Sequence, residues 1–359
     1  MTGQVDVAWV VHEPFFEPLI HLIGKLESQG VRQYIGRFED YYTQSPAAFE
    51  QHVLPVFRSV YEQRPLLIVW CCHVGNPCVV PLYQQSPALL NLIIEHDLFS
   101  LEPEGCVATD RPHELLVFTR QHWAYRHDAV APNRWFTPVR WYKLDAPPRE
   151  DMQAFLQTSE GRNWDRWQYG MLVESLFYTD AAFPFAHLFR KVFQKPWKQA
   201  VPREGVVQAP VDLSGPLGIV SAQFLTGFWF SRKSSALVEA LFHGCIPVMY
   251  PHPEVPEEEC GRFYLEEIPH PTIPVLSRVV IDKGNPANGK IIPATMVTTS
   301  GDFPEKIRLL REDEQMREQA LREMARQWLF TPYGTDAADW PPTVDQIILE
   351  RLAALKGTE

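Results

Sequence analysis

The chain has 359 residues, which suggests two domains of ordinary size, and its hydrophobic fraction of 45% is sufficient for two full cores. The formal net charge of −11 argues against broad nonspecific adhesion to nucleic acid, because neutralisation of phosphates supplies most of that affinity. No apolar run has the length of a membrane span, and the N-terminus lacks a signal pattern, so we expect a cytoplasmic protein with no membrane partner.

Apolar runs alternate with helical patterns in the first half of the chain. Helices are predicted at Pro18–Gln29 and Pro46–Tyr61. Strands are predicted at Val5–Val11, Pro65–Cys71, Leu92–Glu95 and Leu115–Thr119. Strands that alternate with helices predict an α/β fold with a doubly wound parallel sheet. Because ligands bind at the carboxyl ends of the strands in such sheets, the residues that follow each strand are candidates for chemistry.

Acids and histidines follow three of these strands. They are His12 and Glu13 after the first, His73 after the second, and Glu95, His96 and Asp97 at the end of the third. A carboxylate or a histidine at such a place suits deprotonation of an acceptor hydroxyl. The alternative is structural, because Asp97 is also suited to cap the next helix and a lone histidine is more often a structural residue.

The second half of the chain repeats the alternating pattern. The polar stretch Ala146–Trp167 leads into it, and Gly170–Leu176 resumes the strand pattern. A strand is then predicted at Phe224–Phe230, followed by a helix and a further apolar strand. A charged helix is predicted at Pro304–Leu329, and apolar residues at helical spacing in Pro342–Leu355 predict a last helix that returns to the first domain.

The helix after Phe224–Phe230 carries one acid, Glu239, among apolar neighbours. Before it lie Ser231, Arg232, Lys233, Ser234 and Ser235, which offer hydroxyls and positive charge where a helix N-terminus suits a phosphate. Gly244 stands where the helix end favours a left-handed residue. A carboxylate in this helix is able to accept two hydrogen bonds from ribose hydroxyls. The alternative for Glu239 is an ordinary acid on a solvated helix face.

This segment, SSALVEALFHGCIPVMY, resembles the donor site of GT-B glycosyltransferases. The resemblance implies two Rossmann-like domains that face a cleft, with a nucleotide sugar bound by the C-terminal one. It implies that Glu239 binds the ribose and that Ser234 and Ser235, with Lys233 or Arg232, bind the diphosphate. The position of a second glutamate in the family pattern is occupied by Ser231. By the same resemblance, the loops with His12, Glu13 and His73 face the cleft and contact acceptor or sugar.

The order of elements also resembles the phage DNA β-glucosyltransferases, which glucosylate hydroxymethylated bases in duplex DNA. The resemblance includes the strand that ends near Asp97, the aromatic segment Trp135–Lys143, the Glu239 helix, and Arg262–Tyr264 before the charged helix. It implies that Asp97, with His96 beside it, is the catalytic base of an inverting transfer from UDP-glucose. It also implies a bacteriophage DNA-modification enzyme in the host cytoplasm.

Two segments combine basic and aromatic residues. Candidate contacts to double-stranded DNA in these segments are Arg120, Arg126, Arg134, Arg190, Lys191 and Lys195. Basic groups would position phosphates, and aromatic rings would stack on an extruded base. The alternative is that the aromatic rings belong to the core and the basic stems cover them.

Six cysteines lie mostly in apolar surroundings, and we expect reduced core residues rather than disulfides or a zinc site. They are Cys71, Cys72, Cys78, Cys106, Cys245 and Cys260.

The sequence thus predicts a monomeric glycosyltransferase with no covalent cofactor, a UDP-sugar as favoured co-substrate and a divalent metal left unassigned. The predicted domains span residues 1–165, 166–335 and, for the returning C-terminal helix, 336–359. The favoured acceptor is 5-hydroxymethylpyrimidine in phage DNA. The alternatives are a GT-B enzyme with a glycan, lipid or small-molecule acceptor, which the net acidity favours, a nucleotide-sugar epimerase, and a non-catalytic binding protein.

Overall fold

The computed structural model divides the chain into two compact units, Met1–Ala146 with Trp340–Glu359, and Pro147–Asp339. The residues that the structure describes are 5–39, 46–72, 79–94, 112–118, 134–172, 186–188, 206–207, 209–213, 216–231, 236–249, 263–267, 278–282, 291–293, 296–297, 310–329 and 340–357.

The first unit alternates strands and helices. Its strands are β1 (Val7–His12), β2 (Gln33–Phe38), β3 (Leu67–Cys71), β4 (Leu90–Ile94), β5 (His113–Val117) and β6 (Arg134–Pro138). Its helices are α1 (Phe16–Ser28), α2 (Pro46–Ala48), which continues through a π-helical turn (Phe49–Val53) into α3 (Leu54–Glu62), then α4 (Val80–Gln84) and α5 (Tyr142–Asp145).

The second unit begins with helices. They are α6 (Glu150–Gln157) and α7 (Ser159–Arg162), followed by a 3₁₀ turn (Arg166–Gln168). The later helices are α8 (Pro216–Leu225), α9 (Ala236–Phe242) and α10 (Glu314–Trp328), and the chain ends in α11 (Val344–Lys356) within the first unit. The strands are β7 (Tyr169–Leu172), β8 (Ala186–Leu188), β9 (Val206–Val207), β10 (Phe228–Ser231), β11 (Ile246–Met249), β12 (Phe263–Glu267), β13 (Arg278–Asp282), β14 (Ile291–Pro293) and β15 (Met296–Val297).

The first sheet has six parallel strands in the order β2-β1-β3-β4-β5-β6. All six residues of β1 are buried, as expected for an apolar strand that helices cover on both faces. The chain moves to one side of β1 for β2 and to the other for β3, so the topological switch point lies between β1 and β3.

Strand β2 is absent from the sequence-based prediction. Its sequence, QYIGRF, has a glycine and an arginine in place of a clear apolar alternation. A Cβ at Gly36 would lie 2.5 Å from Val60 Cγ2, so the glycine permits the close approach of α3 to this strand. The strand is therefore explained by packing against α3, which a local hydrophobic pattern does not reveal.

The helix α11 is fixed to the first unit by apolar burial and by ion pairs. Its N-terminus has a capping box in which Thr343 and Gln346 bond reciprocally. Its buried apolar residues are Val344, Ile347, Ile348 and Leu352. Arg351 Nε and Nη2 donate to the two carboxylate oxygens of Glu114 in β5, each at 2.8 Å. Lys356 Nζ lies 2.8 Å from Asp6 Oδ1, just before β1.

The second sheet also has six parallel strands, in the order β15-β11-β10-β7-β8-β9. Strands β8 and β9 lie on one side of β7, and β10 lies on the other, so the switch point of this sheet lies between β7 and β10. Between β11 and β15 in the chain, β12, β13 and β14 form a separate antiparallel sheet.

The prediction of a strand at Phe224–Phe230 is wrong at its start. Phe224 and Leu225 end helix α8, and the strand begins at Phe228. The described side chains of α8 are buried on nearly all sides, among them Ile219, Val220 and Ala222. Because this helix has no solvent-facing side, it lacks the amphipathic period that distinguishes a helix from a strand.

Candidate functional site

The predicted donor-binding segment follows β10, one of the two strands at the switch point of the second sheet. Strand β10 ends at Ser231, and α9 begins at Ala236. Ligands of open parallel sheets bind beside the carboxyl ends of the strands at this point. The predicted diphosphate-binding residues, Arg232, Lys233, Ser234 and Ser235, fall between the two elements in the chain and lie outside the described residues.

Glu239 lies in the first turn of α9 and is only 2% exposed. Its neighbours Ala240 and Leu241 are fully buried, so α9 presents this acid to the interior of the unit. The alternative of an acid on a solvated helix face is therefore excluded. Because α9 follows the switch-point strand β10, this buried carboxylate is a candidate ligand-binding residue.

The end of α9 positions the following strand. Gly244 has a φ of 72°, the left-handed conformation predicted for a helix C-terminus. Its backbone N–H donates to Leu241 O, and Cys245 N donates to Ala240 O. Strand β11 then starts at Ile246, beside Phe228 of β10. The turn thus fixes α9 and Glu239 relative to the two strands of the sheet.

Arg166 is half-buried and connects several elements of the second unit, which the sequence did not reveal. It precedes β7, and its guanidinium donates to the carbonyl oxygens of Thr226 at 2.9 and 2.7 Å, of Gln223 at 2.7 Å and of His243 at 3.1 Å. These carbonyls lie at the C-terminal ends of α8 and α9, where the helix dipole favours a cation. Arg166 therefore holds both helices at the amino-terminal edge of the second sheet, opposite the switch-point edge.

The switch point of the first sheet carries His12. This residue ends β1 and is 5% exposed. Its ring stacks on Phe38 at 5.6 Å between centroids and meets the edge of Phe15 at 5.5 Å. Two aromatic rings thus hold His12 at the carboxyl end of β1, the place at which a Rossmann-like domain binds its ligand.

Glu13, the second candidate of this loop, is engaged by Arg37. Arg37 Nε donates to Glu13 Oε2 at 2.9 Å, and Nη2 donates to Oε1. The guanidinium also lies over the ring of Phe16, 3.7 Å from its centroid. The hydrogen bonds that Arg37 donates to Glu13 raise the pKa of Arg37. The Glu13 carboxylate is therefore part of a bidentate ion pair beside His12.

Most of the other predicted site residues lie outside the described residues, so only their positions in the sequence relative to the strands can be given. Strand β4 ends at Ile94, so Glu95, His96 and Asp97 follow it directly. Arg134 is the first residue of β6, of which the structure describes the backbone. The residues outside the described part are Glu95, His96, Asp97, His73, Arg120, Arg126, Arg190, Lys191 and Lys195.

The described cysteines are Cys71, Cys72 and Cys245, and all three are free thiols in buried positions. Burial raises the pKa of each one, so these thiols are neutral near pH 7. Among the described residues, no group of three or more histidines, cysteines and acids is arranged to hold a metal ion. Within the same part of the chain, no helix is long and apolar enough to cross a membrane.

No family model matches the sequence, and no curated protein matches it. Among solved structures, the chain is similar to the glycosyltransferase SnogD from Streptomyces nogalater, with a TM-score of 0.55 and 12% identity over 98% of this chain and 100% of that chain. It is also similar to UGT89C1 of Arabidopsis thaliana complexed with quercetin, with a TM-score of 0.49 and 10% identity over 98% of this chain and 92% of that chain.

The likeness to SnogD covers almost all of both chains and confirms the predicted fold class, an α/β fold of the GT-B type. At 12% identity the likeness concerns the fold alone.

Proposed function

We propose that this protein is a glycosyltransferase that moves a sugar from a nucleotide-sugar donor to an acceptor hydroxyl. The observation that carries the proposal is the burial of Glu239 in α9, the helix that follows the switch-point strand β10. This is the edge at which Rossmann-like sheets bind nucleotides, and there a buried carboxylate suits the two hydroxyls of a ribose. The fold shared with the glycosyltransferase SnogD supports the same activity.

The donor is proposed to be a UDP-sugar bound by the second unit. Glu239 accepts hydrogen bonds from the ribose, and the segment Arg232–Ser235 binds the diphosphate. Arg232 and Lys233 supply positive charge, and Ser234 and Ser235 supply hydroxyl donors. During transfer these groups stabilise the negative charge that develops on the leaving nucleoside diphosphate.

The acceptor hydroxyl is proposed to be activated by Asp97, with His96 beside it. Both follow β4, which lies next to β3 in the first sheet. Asp97 takes the hydroxyl proton, the oxygen attacks the anomeric carbon from the opposite face, and the nucleoside diphosphate leaves with the bonding electrons. His12 and His73, at the ends of β1 and β3, are proposed to contact the acceptor or the transferred sugar, with Glu13 and Arg37 bordering His12.

The acceptor is proposed to be the hydroxymethyl group of a modified pyrimidine in double-stranded DNA. This part rests on the resemblance to phage DNA β-glucosyltransferases and on the basic, aromatic segments around residues 118–143 and 181–203. A glycan or small-molecule acceptor is the second candidate, and the net charge of −11 favours it because it repels phosphates.

The test is incubation of the protein with UDP-, GDP- and CDP-sugars and hydroxymethylated duplex DNA, followed by nucleoside mass spectrometry. We expect a hexose mass gain on the modified base. Transfer to a glycan or small acceptor, with no gain on DNA, would keep the glycosyltransferase and reject the DNA acceptor. Conversion of the donor into an isomer without any acceptor would identify an epimerase instead. No donor turnover with any acceptor would reject the proposal.

A further inference from the structure

Phe38 provides the ring on which His12 stacks. The two residues are direct partners in the parallel pairing of β1 with β2, and each is the last residue of its strand. Their ring planes differ by 20°, and the centroids are 5.6 Å apart. The register of the two strands therefore places the Phe38 ring beside the imidazole at the carboxyl edge of the first sheet.

Further aromatic rings of the core support Phe38. Its centroid lies 5.7 Å from that of Phe57 in α3, and the Phe57 centroid lies 5.6 Å from that of Trp70 in β3. All three side chains are buried. A buried ring has few voids into which it can turn, so this packing fixes the orientation of Phe38. The series of rings thus connects His12 to the packed interior of the first unit.

Phe15 contacts the imidazole from a second direction. It lies in the turn directly after β1, and its ring stands at 83° to that of His12 with the centroids 5.5 Å apart. The torsion about the Cβ–Cγ bond of a histidine has broad minima, so the side chain alone defines the direction of its ring nitrogens poorly. The contacts with Phe38 and Phe15 supply the missing restriction, because rotation about that bond would end the near-parallel stacking on Phe38.

We propose that Phe38 is a positioning residue, which holds the imidazole of His12 in the orientation for contact with the acceptor or the transferred sugar. This inference rests on the proposed function, in which His12 makes that contact. A shift of about 1 Å in a contacting group lowers turnover by about 100-fold, so loss of the stacked ring should affect transfer more than loss of an ordinary core ring does. Donor affinity should not depend on Phe38, because the second unit is proposed to bind the donor.

The test compares Phe38→Leu with Phe57→Leu, which is the same change one ring further from His12. Both variants exchange a buried ring for a smaller apolar side chain, so both should have a lower urea midpoint than the wild type. Under conditions in which both are folded, Phe38→Leu should lower kcat about tenfold, and Phe57→Leu should keep kcat close to the wild-type value. The KM for the donor and the affinity for UDP should stay at the wild-type values in both.

A second variant and a spectroscopic measurement complete the test. Phe15 is only half-buried, so Phe15→Leu should fold readily, and it should lower kcat in the same direction as Phe38→Leu. NMR of the histidine imidazole signals reports on the ring independently of turnover, and His12→Gln identifies the signal of His12. The ring current of Phe38 should displace this signal in the wild type. Phe38→Leu should remove the displacement, and Phe57→Leu should retain it.

Three results would overturn the positioning role of Phe38 while the wild type transfers sugar. They are an equal kcat in Phe38→Leu and Phe57→Leu, an unchanged His12 signal in Phe38→Leu, and a wild-type kcat in His12→Gln. Absence of transfer by the wild type would instead reject the proposed function, and the role of Phe38 in transfer with it. The NMR displacement separates this case, because it reports the stacking of the two rings whether or not the protein transfers sugar.

Discussion

The two edges of each parallel sheet carry different kinds of residues. At the amino-terminal edges, Asp6 and Glu114 bind α11 in the first unit, and Arg166 binds the ends of α8 and α9 in the second. These three charged residues connect elements of the fold that are distant in the chain. At the carboxyl edges lie His12 and the helix of Glu239, together with the chain positions of the predicted base and diphosphate ligands.

We therefore expect residues at the amino-terminal edges to contribute to folding stability and residues at the carboxyl edges to contribute to binding or transfer. Asp6 and Glu114 are buried and Arg166 is half-buried, and each makes several hydrogen bonds, so loss of these connections should destabilise the unit to which they belong. The residues at the carboxyl edges should affect binding or transfer with a smaller effect on folding.

The largest effect is expected for Asp97→Asn, the proposed base, which follows β4 in the chain. Loss of a general base should lower kcat by a factor of about 100 to 10,000, because the acceptor hydroxyl keeps its proton. Donor binding and the urea midpoint should stay at the wild-type values. Steady-state transfer assays and calorimetry with UDP measure the two quantities. Wild-type turnover in the variant would remove Asp97 from its assigned role.

At the opposite edge, Arg166→Met should destabilise the second unit by about 3 kcal/mol, because charge-assisted hydrogen bonds to three carbonyls are lost. Urea unfolding should show this as a lower midpoint. Arg162→Met, at an exposed position on α7, is the control and should change the midpoint little. A similar loss in both variants would show that the effect comes from charge and not from the carbonyl contacts.

The amino-terminal edge of the first unit should make stability depend on pH. Burial alone raises the pKa of Asp6, but the hydrogen bonds from Arg32 and the pairing with Lys356 outweigh it and lower the pKa from 3.8 to about 2. Because the pKa is depressed in the folded state, this stabilisation is present above about pH 4 and is lost as the pH falls towards 2.

Asp6→Asn should therefore destabilise the first unit by about 2 kcal/mol at pH 7, and most of this difference from the wild type should be lost as the pH falls to 2. Urea unfolding across this pH range measures both. The contacts of Arg166 in the second unit are to neutral carbonyls, so they should not lose stabilisation over the same pH range. A difference between variant and wild type that stays constant with pH would contradict the ion-pair explanation.

The smallest effect is expected for Glu13→Gln. Its side chain is 40% exposed and that of Arg37 is 45% exposed, so solvent screens the pair and its loss should cost about 0.5 kcal/mol. The effect should disappear in high salt. Glu318→Gln, which breaks the exposed pair with Arg322, gives the reference value for a surface pair. A loss several times larger than this reference would assign Glu13 a structural role in the first unit.

Much of this fold was predictable from local patterns. The continuous apolar runs predicted β1 and β3, because buried parallel strands consist of such runs. Helical spacing predicted α11, since one of its sides is solvated. Local hydrophobic patterns did not predict α8, because this helix is buried on nearly all sides. They did not predict β2 either, because this strand depends on close packing against α3.

The candidate site was predictable only in part. Glu239 was recognisable because a single acid stands out in an apolar helix. The role of Arg166 was not recognisable, because its partners are backbone carbonyls 57 to 77 residues away in the chain. Every residue has a backbone carbonyl, so the sequence does not indicate which ones an arginine will bind. The pairing of Glu13 with Arg37 depends likewise on the register of β1 with β2.

Glu239 is proposed to bind the ribose of the donor nucleotide, and calorimetry with UDP and 2′-deoxy-UDP tests this role. The wild type should prefer UDP about tenfold, because a carboxylate that accepts from the 2′-hydroxyl loses that bond with the deoxy compound. In Glu239→Gln the preference should shrink markedly while the fold is retained. An undiminished preference in the variant, or failure of the wild type to bind UDP, would show that Glu239 does not bind the ribose of a uridine nucleotide.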